Sequence, residues 1–239
     1  MDILYRDEFV IAVNKPAGLL VHRSPIDRHE TRFAMQMLRD QIGQRVYPLH
    51  RLDKPTSGVL LFALDPDTAR QMMPVFSSGA VEKTYLAVVR GYTPDADEID
   101  YPLKEERDKM TDARVDPEKA AQAAITAYQR LGTVELPHAV GRYATARYSL
   151  VKITPKTGRK HQIRRHMKHI FHPIIGDTTH GDGRHNEFFR VELDCHRLLL
   201  AATQLSFIHP RNSKPITIFS PLDQHFLQLV KRLRWDGLV

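Results

Sequence analysis

The residues best placed to do chemistry lie in the segment 50–58, which reads HRLDKPTSG. It sets one carboxylate, Asp53, in a short polar turn between Arg51 and Lys54, and the apolar run at 59–63 predicts a buried strand directly after it. Cations beside a carboxylate keep it ionised in a partly dry site, which suits a catalytic acid. On these residues alone an Asp-x-Pro turn is the favoured interpretation, because aspartate commonly bonds its own backbone in turns. The segment alone leaves both interpretations open.

A long basic stretch supplies the second chemical feature. Residues 136–176 contain no Asp or Glu, in a chain whose formal net charge is +7. The stretch carries five histidines, four of them within 161–172, and nine cations; these four histidines and the cations are Arg142, Arg147, Lys152, Lys156, Arg159, Lys160, Arg164, Arg165, Lys168, His161, His166, His169 and His172. A region of one charge sign attracts polyanions, and Tyr143, Tyr148 and Phe171 add rings that can stack or pack. The stretch therefore favours nucleic-acid binding over an ordinary solvated face.

The four histidines also raise the possibility of a metal site. A catalytic zinc site usually takes three protein ligands, often with a carboxylate or a cysteine among them. No acid or cysteine lies near these histidines, and the chain has a single cysteine, Cys195. We therefore expect no metal, no cysteine-based zinc cluster and no intramolecular disulfide, and we expect the histidines to border a phosphate-binding surface.

Apolar periodicity predicts several helices between strands. Two short strands are expected within 3–22, and further strands at 85–89, 125–131, 147–153, 198–202 and 216–219. Four helices are predicted from their apolar stripes: Phe33, Met37, Leu38 and Ile42 before Gly43; Ala69, Met72, Met73 and Phe76 after an Asp65–Pro66 start; Ile163, Met167, Ile170 and Phe171; and Leu222, Phe226, Val230 and Leu233. Pro74 should kink or shorten the second helix. Arg165 and Lys168 should point outward from the third.

The order of these elements indicates the fold class. Strands dominate and helices fall between them in no regular alternation, which predicts an α+β fold with a large, mainly antiparallel mixed sheet and flanking helices. Residues 95–119 are strongly acidic, and we expect a surface excursion that faces away from RNA. No apolar run approaches the length of a membrane helix, and the N-terminus lacks the layout of a signal peptide, so a cytoplasmic protein is expected.

Several segments together resemble RNA pseudouridine synthases of the RluA family. The segment 50–58 resembles the family's aspartate motif, and four further segments match in the expected order, at 3–22, 83–85, 157–166 and 172–177. The resemblance covers roughly residues 3–220. One departure is that the late strand, often Leu-His-Ala in this family, reads Leu200-Ala201-Ala202 here. No role is therefore assigned to Ala201.

The resemblance implies a catalytic domain with a central cleft that isomerises uridine in RNA after flipping it out of its stack. It implies one such domain over residues 1–239, without the N-terminal S4-type domain of many relatives, and no cofactor. Asp53 matches the essential aspartate, which attacks the sugar or base or removes a sugar proton. Arg164 matches the arginine that pairs with it, and Tyr85 the tyrosine that stacks on uracil and helps remove the C5 proton.

The same resemblance suggests which residues bind RNA. Ile163 matches an apolar wall under the base, and Arg51 matches an arginine that contacts phosphate or fills the gap left by the flipped base. The remaining candidates belong to the basic stretch and are Arg159, His161, Arg165 and Lys168. Each of these residues also has an ordinary structural interpretation, as helix core or as a solvated cation.

Weaker features suggest which RNA is the substrate. The segments 39–44, 101–103, 141–143 and 235–238 resemble a tRNA-acting member of the family that modifies uridine 65. We therefore expect tRNA as the partner and no obligatory protein partner. Two alternatives stay open, a ribosomal RNA pseudouridine synthase and a catalytically inactive RNA-binding protein.

Overall fold

The computed structural model describes residues 1–23, 30–105 and 120–239. Across these ranges, ten strands form one sheet: β1 (Ile3–Arg6), β2 (Val10–Lys15), β3 (Tyr47–Pro48), β4 (Ser57–Ala63), β5 (Glu82–Arg90), β6 (Ala96–Asp100), β7 (Ile125–Leu136), β8 (Ala146–Pro155), β9 (Leu200–Ile208) and β10 (Pro215–Phe219). The helices are α1 (Ala34–Ile42), α2 (Pro66–Ser77), α3 (Gln162–His169), α4 (Gly183–Glu192) and α5 (Gln224–Arg232), followed by a short 3₁₀ turn at Asp236–Leu238. The predicted α+β class is confirmed.

The sheet is mixed, as expected. Its main path runs β1-β2-β4-β9-β5-β8-β7-β6, with β10 beside β9 and β3 beside β4. The pairing of β4 with β9 is parallel, through Ser57 with Ala201 and Gly58 with Ala202, while the other described pairings are antiparallel. Gly58 has φ +113°, and a Cβ built on it would lie 2.0 Å from the Ala202 carbonyl oxygen. Only glycine therefore allows these strands to approach so closely immediately after the aspartate turn.

Central strands are buried on both faces, which explains their continuous apolar runs. All seven residues of β4 are buried, as are 86–89 in β5. On one face, α4 and α5 cover β8 and β9 with an aromatic cluster that includes Tyr148, Phe189 and Phe226. Because both faces of the middle strands are covered, these strands do not alternate apolar and polar residues in sequence. Their length and their content of β-branched residues identify them as strands instead.

Helix α2 begins as its sequence predicts. The Asp65 carboxylate accepts hydrogen bonds from the backbone N–H groups of Asp67 and Thr68, at 2.9 and 2.8 Å, and Pro66 occupies the first helical position. The helix is not shortened by Pro74, because it continues to Ser77. The expectation that Met73 joins the buried face is wrong, since Met73 is 52% exposed.

The prediction for the end of α3 is also partly wrong. Ile163 and Met167 are buried as expected, but the helix ends at His169 and Phe171 turns into solvent with φ 64°. The apolar spacing was correct for the first two turns, and the chain leaves the helix before the last apolar residue can pack. Sequence spacing cannot show this, because Phe171 is an unfavourable residue for the left-handed conformation that closes the helix.

The acidic segment divides into a described and an undescribed part. Residues 96–100 form β6, a paired strand at the edge of the sheet, and Glu105 lines the cleft described below, so that residue does not face away from it. The prediction for 106–119 lies outside the described residues. Among the described helices, none has the length and apolarity required to cross a bilayer.

Candidate active site

An open cleft of about 950 Å³ lies where the aspartate turn meets the start of α3. Its walls come from 48–53, from the end of α2, from β5 and from the segment 155–164. Asp53 lies in this wall and opens the turn that leads into β4, where the Thr56 N–H donates to the Asp53 carbonyl at 3.0 Å. The Asp-x-Pro turn that the sequence also allowed is therefore present, and it places the Asp53 carboxylate at the cleft.

Arg164 connects two carboxylates. Its Nε donates to Asp177 Oδ2 at 2.7 Å and its Nη2 to Asp177 Oδ1 at 2.8 Å, while Nη1 lies 3.2 Å from Asp53 Oδ2. The Arg164 side chain is 5% exposed and that of Asp53 is 28% exposed. The guanidinium is therefore fixed from behind by a two-point bond, and its remaining edge is presented to Asp53 on the cleft side.

The two buried partners keep each other charged. Burial opposes the charged forms, but the hydrogen bonds from Arg164 and from the His180 and Thr179 backbone N–H groups lower the pKa of Asp177. Burial likewise opposes the Arg164 charge, and the carboxylates of Asp177 and Asp53 outweigh it and raise the pKa of Arg164. A permanently charged guanidinium beside Asp53 follows.

Gln162 holds the loop before α3 in place. Its side-chain oxygen accepts from Thr157 Oγ1 at 2.8 Å and from the Arg159 N–H at 3.0 Å, and its side-chain nitrogen donates to Ile125 O and Thr126 Oγ1. All four hydrogen-bonding positions of the buried amide are used. This fixes 157–164 against β7, so that Arg164 emerges from α3 toward Asp53.

Tyr85 lies on β5 and lines the same cleft. Burial and the nearby charge of Asp53 raise the pKa of the Tyr85 hydroxyl well above its ordinary value of 10.0. The phenol is therefore neutral at physiological pH. Its partly buried ring is available as a stacking surface, and its hydroxyl as a neutral donor or proton relay.

Lys15 supports the aspartate turn from the side of the core, a role that was not predicted from the sequence. It is fully buried, and its Nζ donates to the carbonyls of Pro16, Leu19 and Lys54 at 2.9, 2.7 and 3.2 Å. Burial lowers the pKa of Lys15 to about 7, although the charge of Asp53 opposes this shift. The lysine ties the 16–19 turn to the residue that follows Asp53. The sequence feature that could have identified Lys15 is its position within the segment 3–22, which resembles the family.

Arg197 and Asp177 were also missed as site residues. The Arg197 guanidinium is largely buried, pairs with Asp223, donates to Ser57 Oγ at 2.9 Å and lies over the Phe226 ring. It therefore anchors the first residue of β4, four positions after Asp53. Asp177 stands in the 172–177 segment that matched the family, and its acid in a basic region was the signal that could have identified it.

His50, the first residue of the aspartate motif, is a structural anchor. The Leu61 N–H donates to His50 Nε2 at 3.1 Å, and the imidazole stacks on Phe76 with ring centres 5.2 Å apart. Burial lowers the pKa of His50 to about 3, so the ring is neutral and can accept this bond.

The predicted RNA-binding residues separate into two groups. Arg51, Arg159, His161 and Ile163 line the cleft, together with Lys156 and Lys160. Arg165 and Lys168 are not among the cleft-lining residues. They lie further along α3, and Lys168 is exposed. The sequence therefore predicted a single basic site, whereas the structure divides it between the cleft and the outer part of α3.

The histidines do not converge on a common point. His166 Nδ1 lies 2.9 Å from Thr126 Oγ1 and its Nε2 3.0 Å from the Tyr101 carbonyl, while His169 stacks on the Tyr101 ring. His172 Nδ1 lies 2.8 Å from the Arg90 carbonyl. Within the described residues, no group of three or more potential ligands is arranged to hold a metal ion.

Comparison with known proteins identifies the class that this fold and cleft define. The family model described as RNA pseudouridylate synthase matches residues 9–169, which is more than half of the chain. The chain belongs to this family and is an RNA pseudouridine synthase.

Full-length relatives narrow the comparison. The chain is 55% identical to tRNA pseudouridine synthase C of Vibrio parahaemolyticus, covering 99% of this chain and 96% of the relative. It is 55% identical to the Haemophilus influenzae protein of the same name over 100% of both chains. Among solved structures, human RNA Pseudouridylate Synthase Domain Containing 4 is 27% identical, with a TM-score of 0.71 over 98% of this chain and 93% of that one.

Proposed function

We propose that this enzyme acts on tRNA and converts one uridine, uridine 65, to pseudouridine. The names of the relatives at 55% identity support tRNA, and the position follows from the resemblance noted in the sequence. The observation that carries the chemistry is Asp53 at the cleft wall, 3.2 Å from an arginine already fixed by a second acid. We further propose that residues 1–239 form one catalytic domain, since the described strands join a single sheet.

The reaction exchanges one glycosidic bond for another. The C1′–N1 bond breaks, uracil turns within the site, C5 bonds to C1′, C5 loses a proton and N1 gains one. Atoms and electrons balance within the nucleotide, so the isomerisation requires no redox or group-carrying cofactor. The enzyme must hold the detached base, supply a carboxylate and move a proton.

Asp53 is the group that attacks the nucleotide or removes its sugar proton. Arg164 keeps the carboxylate ionised and oriented, because a guanidinium at hydrogen-bond distance favours the charged form. Since Asp177 already binds two of its nitrogens, Arg164 needs no reorganisation when the substrate arrives. The geometry is compatible with either role for the carboxylate.

Tyr85 stacks on the uracil ring and relays the C5 proton. Burial and, after it, the nearby charge of Asp53 raise the pKa of the Tyr85 hydroxyl, so the hydroxyl is neutral and takes that proton only while passing its own onward. Ile163 supplies an apolar surface beside it in the cleft. Tyr85 and Ile163 therefore provide an aromatic and an apolar wall for the uracil. Because these walls do not fix one edge of the base by hydrogen bonds, the detached uracil can rotate.

The cleft is large enough for a flipped nucleotide and its flanking backbone. Arg51, Lys156, Arg159 and Lys160 border it and provide positive charge for phosphates. Unstacking a base costs a few kcal/mol, and contacts to the flanking phosphates and to the base offset that cost. We propose the cytoplasm, where tRNA is modified, as the location, and tRNA as the only partner that the reaction needs.

One experiment separates the candidate substrates. The purified protein is incubated with unmodified tRNA and, separately, with unmodified ribosomal RNA, and pseudouridine is mapped at single-nucleotide resolution. We expect a single new pseudouridine in tRNA, at position 65. Pseudouridine formed in ribosomal RNA alone would show that the substrate is ribosomal RNA and would leave the proposed reaction unchanged. Binding without any pseudouridine would instead support an inactive RNA-binding protein.

A further inference from the structure

The chain leaves α3 through an unusual residue. The Phe171 N–H donates to the Lys168 carbonyl at 3.0 Å, the His172 N–H donates to the Met167 carbonyl at 2.9 Å, and Phe171 has φ 64°. This pair of bonds is the common helix-ending motif in which glycine normally takes the left-handed position. A side chain there is strained, because its Cβ approaches the following carbonyl. A large aromatic residue is therefore unexpected.

Packing does not account for this phenylalanine. Phe171 is 79% exposed, more than any other exposed large hydrophobic residue in the described ranges. The turn that presents it is nevertheless held firmly: Arg90 Nη2 donates to the Phe171 carbonyl at 3.2 Å, and Arg90 Nη1 is held by Asp182 Oδ2 at 2.5 Å. The ring thus projects into solvent from an anchored backbone, which lowers the entropic cost of binding a ligand.

The charge around this ring selects the kind of ligand. Arg165, Lys168 and His169 precede it on α3, Lys168 and His169 are exposed, and no Asp or Glu occurs between 165 and 176. Aromatic rings beside cations are the usual means of holding single-stranded nucleic acid, because the ring stacks on a base while the cation meets a phosphate. Asp182 also reaches this turn through Arg90, but its side chain is 15% exposed and already ion-paired, so the accessible cations favour RNA over an apolar protein surface.

The ring is also at a suitable distance from the chemistry. Gln162, Ile163 and Arg164 in the first turn of α3 line the cleft, and Phe171 follows Arg164 by seven residues. The helical part of this path, from Arg164 to His169, spans roughly 7.5 Å of helix axis at 1.5 Å per residue, and Phe171 follows two residues beyond the helix end. An RNA whose uridine occupies the cleft extends far enough to pass over Phe171.

We propose that Phe171 is a base-stacking subsite for substrate RNA outside the catalytic cleft. It takes one unpaired or splayed base of the tRNA, and Lys168 meets the adjoining backbone. The inference rests on the proposed function, since it needs an RNA held at the cleft. Its role is to bind and orient the RNA, and it takes no part in bond breaking.

The test uses full-length protein carrying Asp53→Asn, so that unmodified tRNA binds without turnover. Phe171→Ala in this background should raise the Kd about 5- to 150-fold, the range expected for one base–aromatic stack. Phe171→Trp should restore binding. Phe171→Gly should lose binding as Ala does, yet unfold at the same or a higher temperature, because the left-handed strain is relieved. Phe219→Ala, 66% exposed on β10, is the matched control and should change neither property.

The same substitutions with Asp53 intact provide the second readout. Phe171→Ala should raise KM and leave the rate at saturating tRNA unchanged. Unchanged Kd and KM, in an enzyme that does modify tRNA, would overturn the subsite while leaving the proposed function standing. Self-association lost in Phe171→Ala at constant RNA affinity would assign the ring to a second copy of the chain. If the wild type forms no pseudouridine in tRNA, the proposed function fails, and this inference fails with it.

Discussion

Asp177 binds Arg164 through both carboxylate oxygens, at 2.7 and 2.8 Å, and both side chains are almost completely buried. The pair lies directly behind Asp53, so the orientation of the catalytic candidate depends on an acid that does not itself face the cleft. Removing one partner of a buried pair leaves an uncompensated charge, which is more costly than never having had the pair.

Asp177→Asn should lower the free energy of unfolding at pH 7 by about 3 to 5 kcal/mol. The pKa of Asp177 is lowered in the folded state, below its ordinary value of 3.8. Its stabilising contribution is therefore complete above pH 3.8 and is lost as pH falls through the folded-state pKa. The difference in the free energy of unfolding between the wild type and the variant should become smaller as the pH falls below 3.8. Urea unfolding across pH 2.5 to 7 measures it, and a constant difference would refute the assignment.

Asp53→Asn should remove turnover and leave the fold and RNA affinity nearly intact. The amide is almost isosteric with the carboxylate but can act neither as nucleophile nor as base, so the rate should fall by at least about 100-fold. Single-turnover assays with unmodified tRNA measure the rate, and filter binding supplies the control. Activity within about tenfold of the wild type would exclude the catalytic role.

Tyr85→Phe should separate the two functions of the tyrosine. The ring is kept, so tRNA affinity should stay within about twofold, while loss of the hydroxyl should slow the step that removes the C5 proton by about 10²-fold. Release of tritium from [5-³H]uridine-labelled tRNA reports that step directly. Tyr85→Leu, which also removes the stacking surface, should weaken binding in addition. Equal tritium release by Tyr85→Phe and wild type would remove the relay role.

Reversing both Arg165 and Lys168 to Glu should weaken tRNA binding and flatten its salt dependence, with a slope smaller by about one to two. The expectation follows from their position on α3 between the cleft and Phe171. The matched control is the double reversal of Lys231 and Arg232, two exposed cations in the last turn of α5. Titrations between 50 and 300 mM salt give the slopes. Equal effects of both reversals would mean that only net charge matters.

Local patterns predicted most elements, because caps and apolar spacing act within a few residues. The Asp65–Pro66 start of α2 and the Gly43 end of α1 are both present, the latter with φ 67°. Phe171 and Met73 were misplaced for a different reason. The exposure of Phe171 depends on where α3 ends, and that of Met73 on its place at the open cleft, and neither is encoded in helical spacing.

The catalytic candidates could be found from motifs, while their supports could not. Lys15 is buried beneath the aspartate turn because two nearby carbonyls, those of Pro16 and Leu19, and the distant carbonyl of Lys54 converge on its Nζ. Arg197 similarly reaches Ser57 from 140 positions away. Such roles arise from tertiary contacts, and a lysine or arginine in a sequence is by default expected at the surface.

The contact between Asp53 and Arg164 joins residues 111 positions apart, and the parallel pairing that holds the aspartate turn joins Ser57 to Ala201. Contacts of such long sequence separation form slowly, because loop closure must be completed before they contribute stability. A nascent chain in which β9 has not yet been synthesised therefore lacks the strand pairing that holds the Asp53 turn in position. Return of activity during refolding should accordingly track the slowest folding phase.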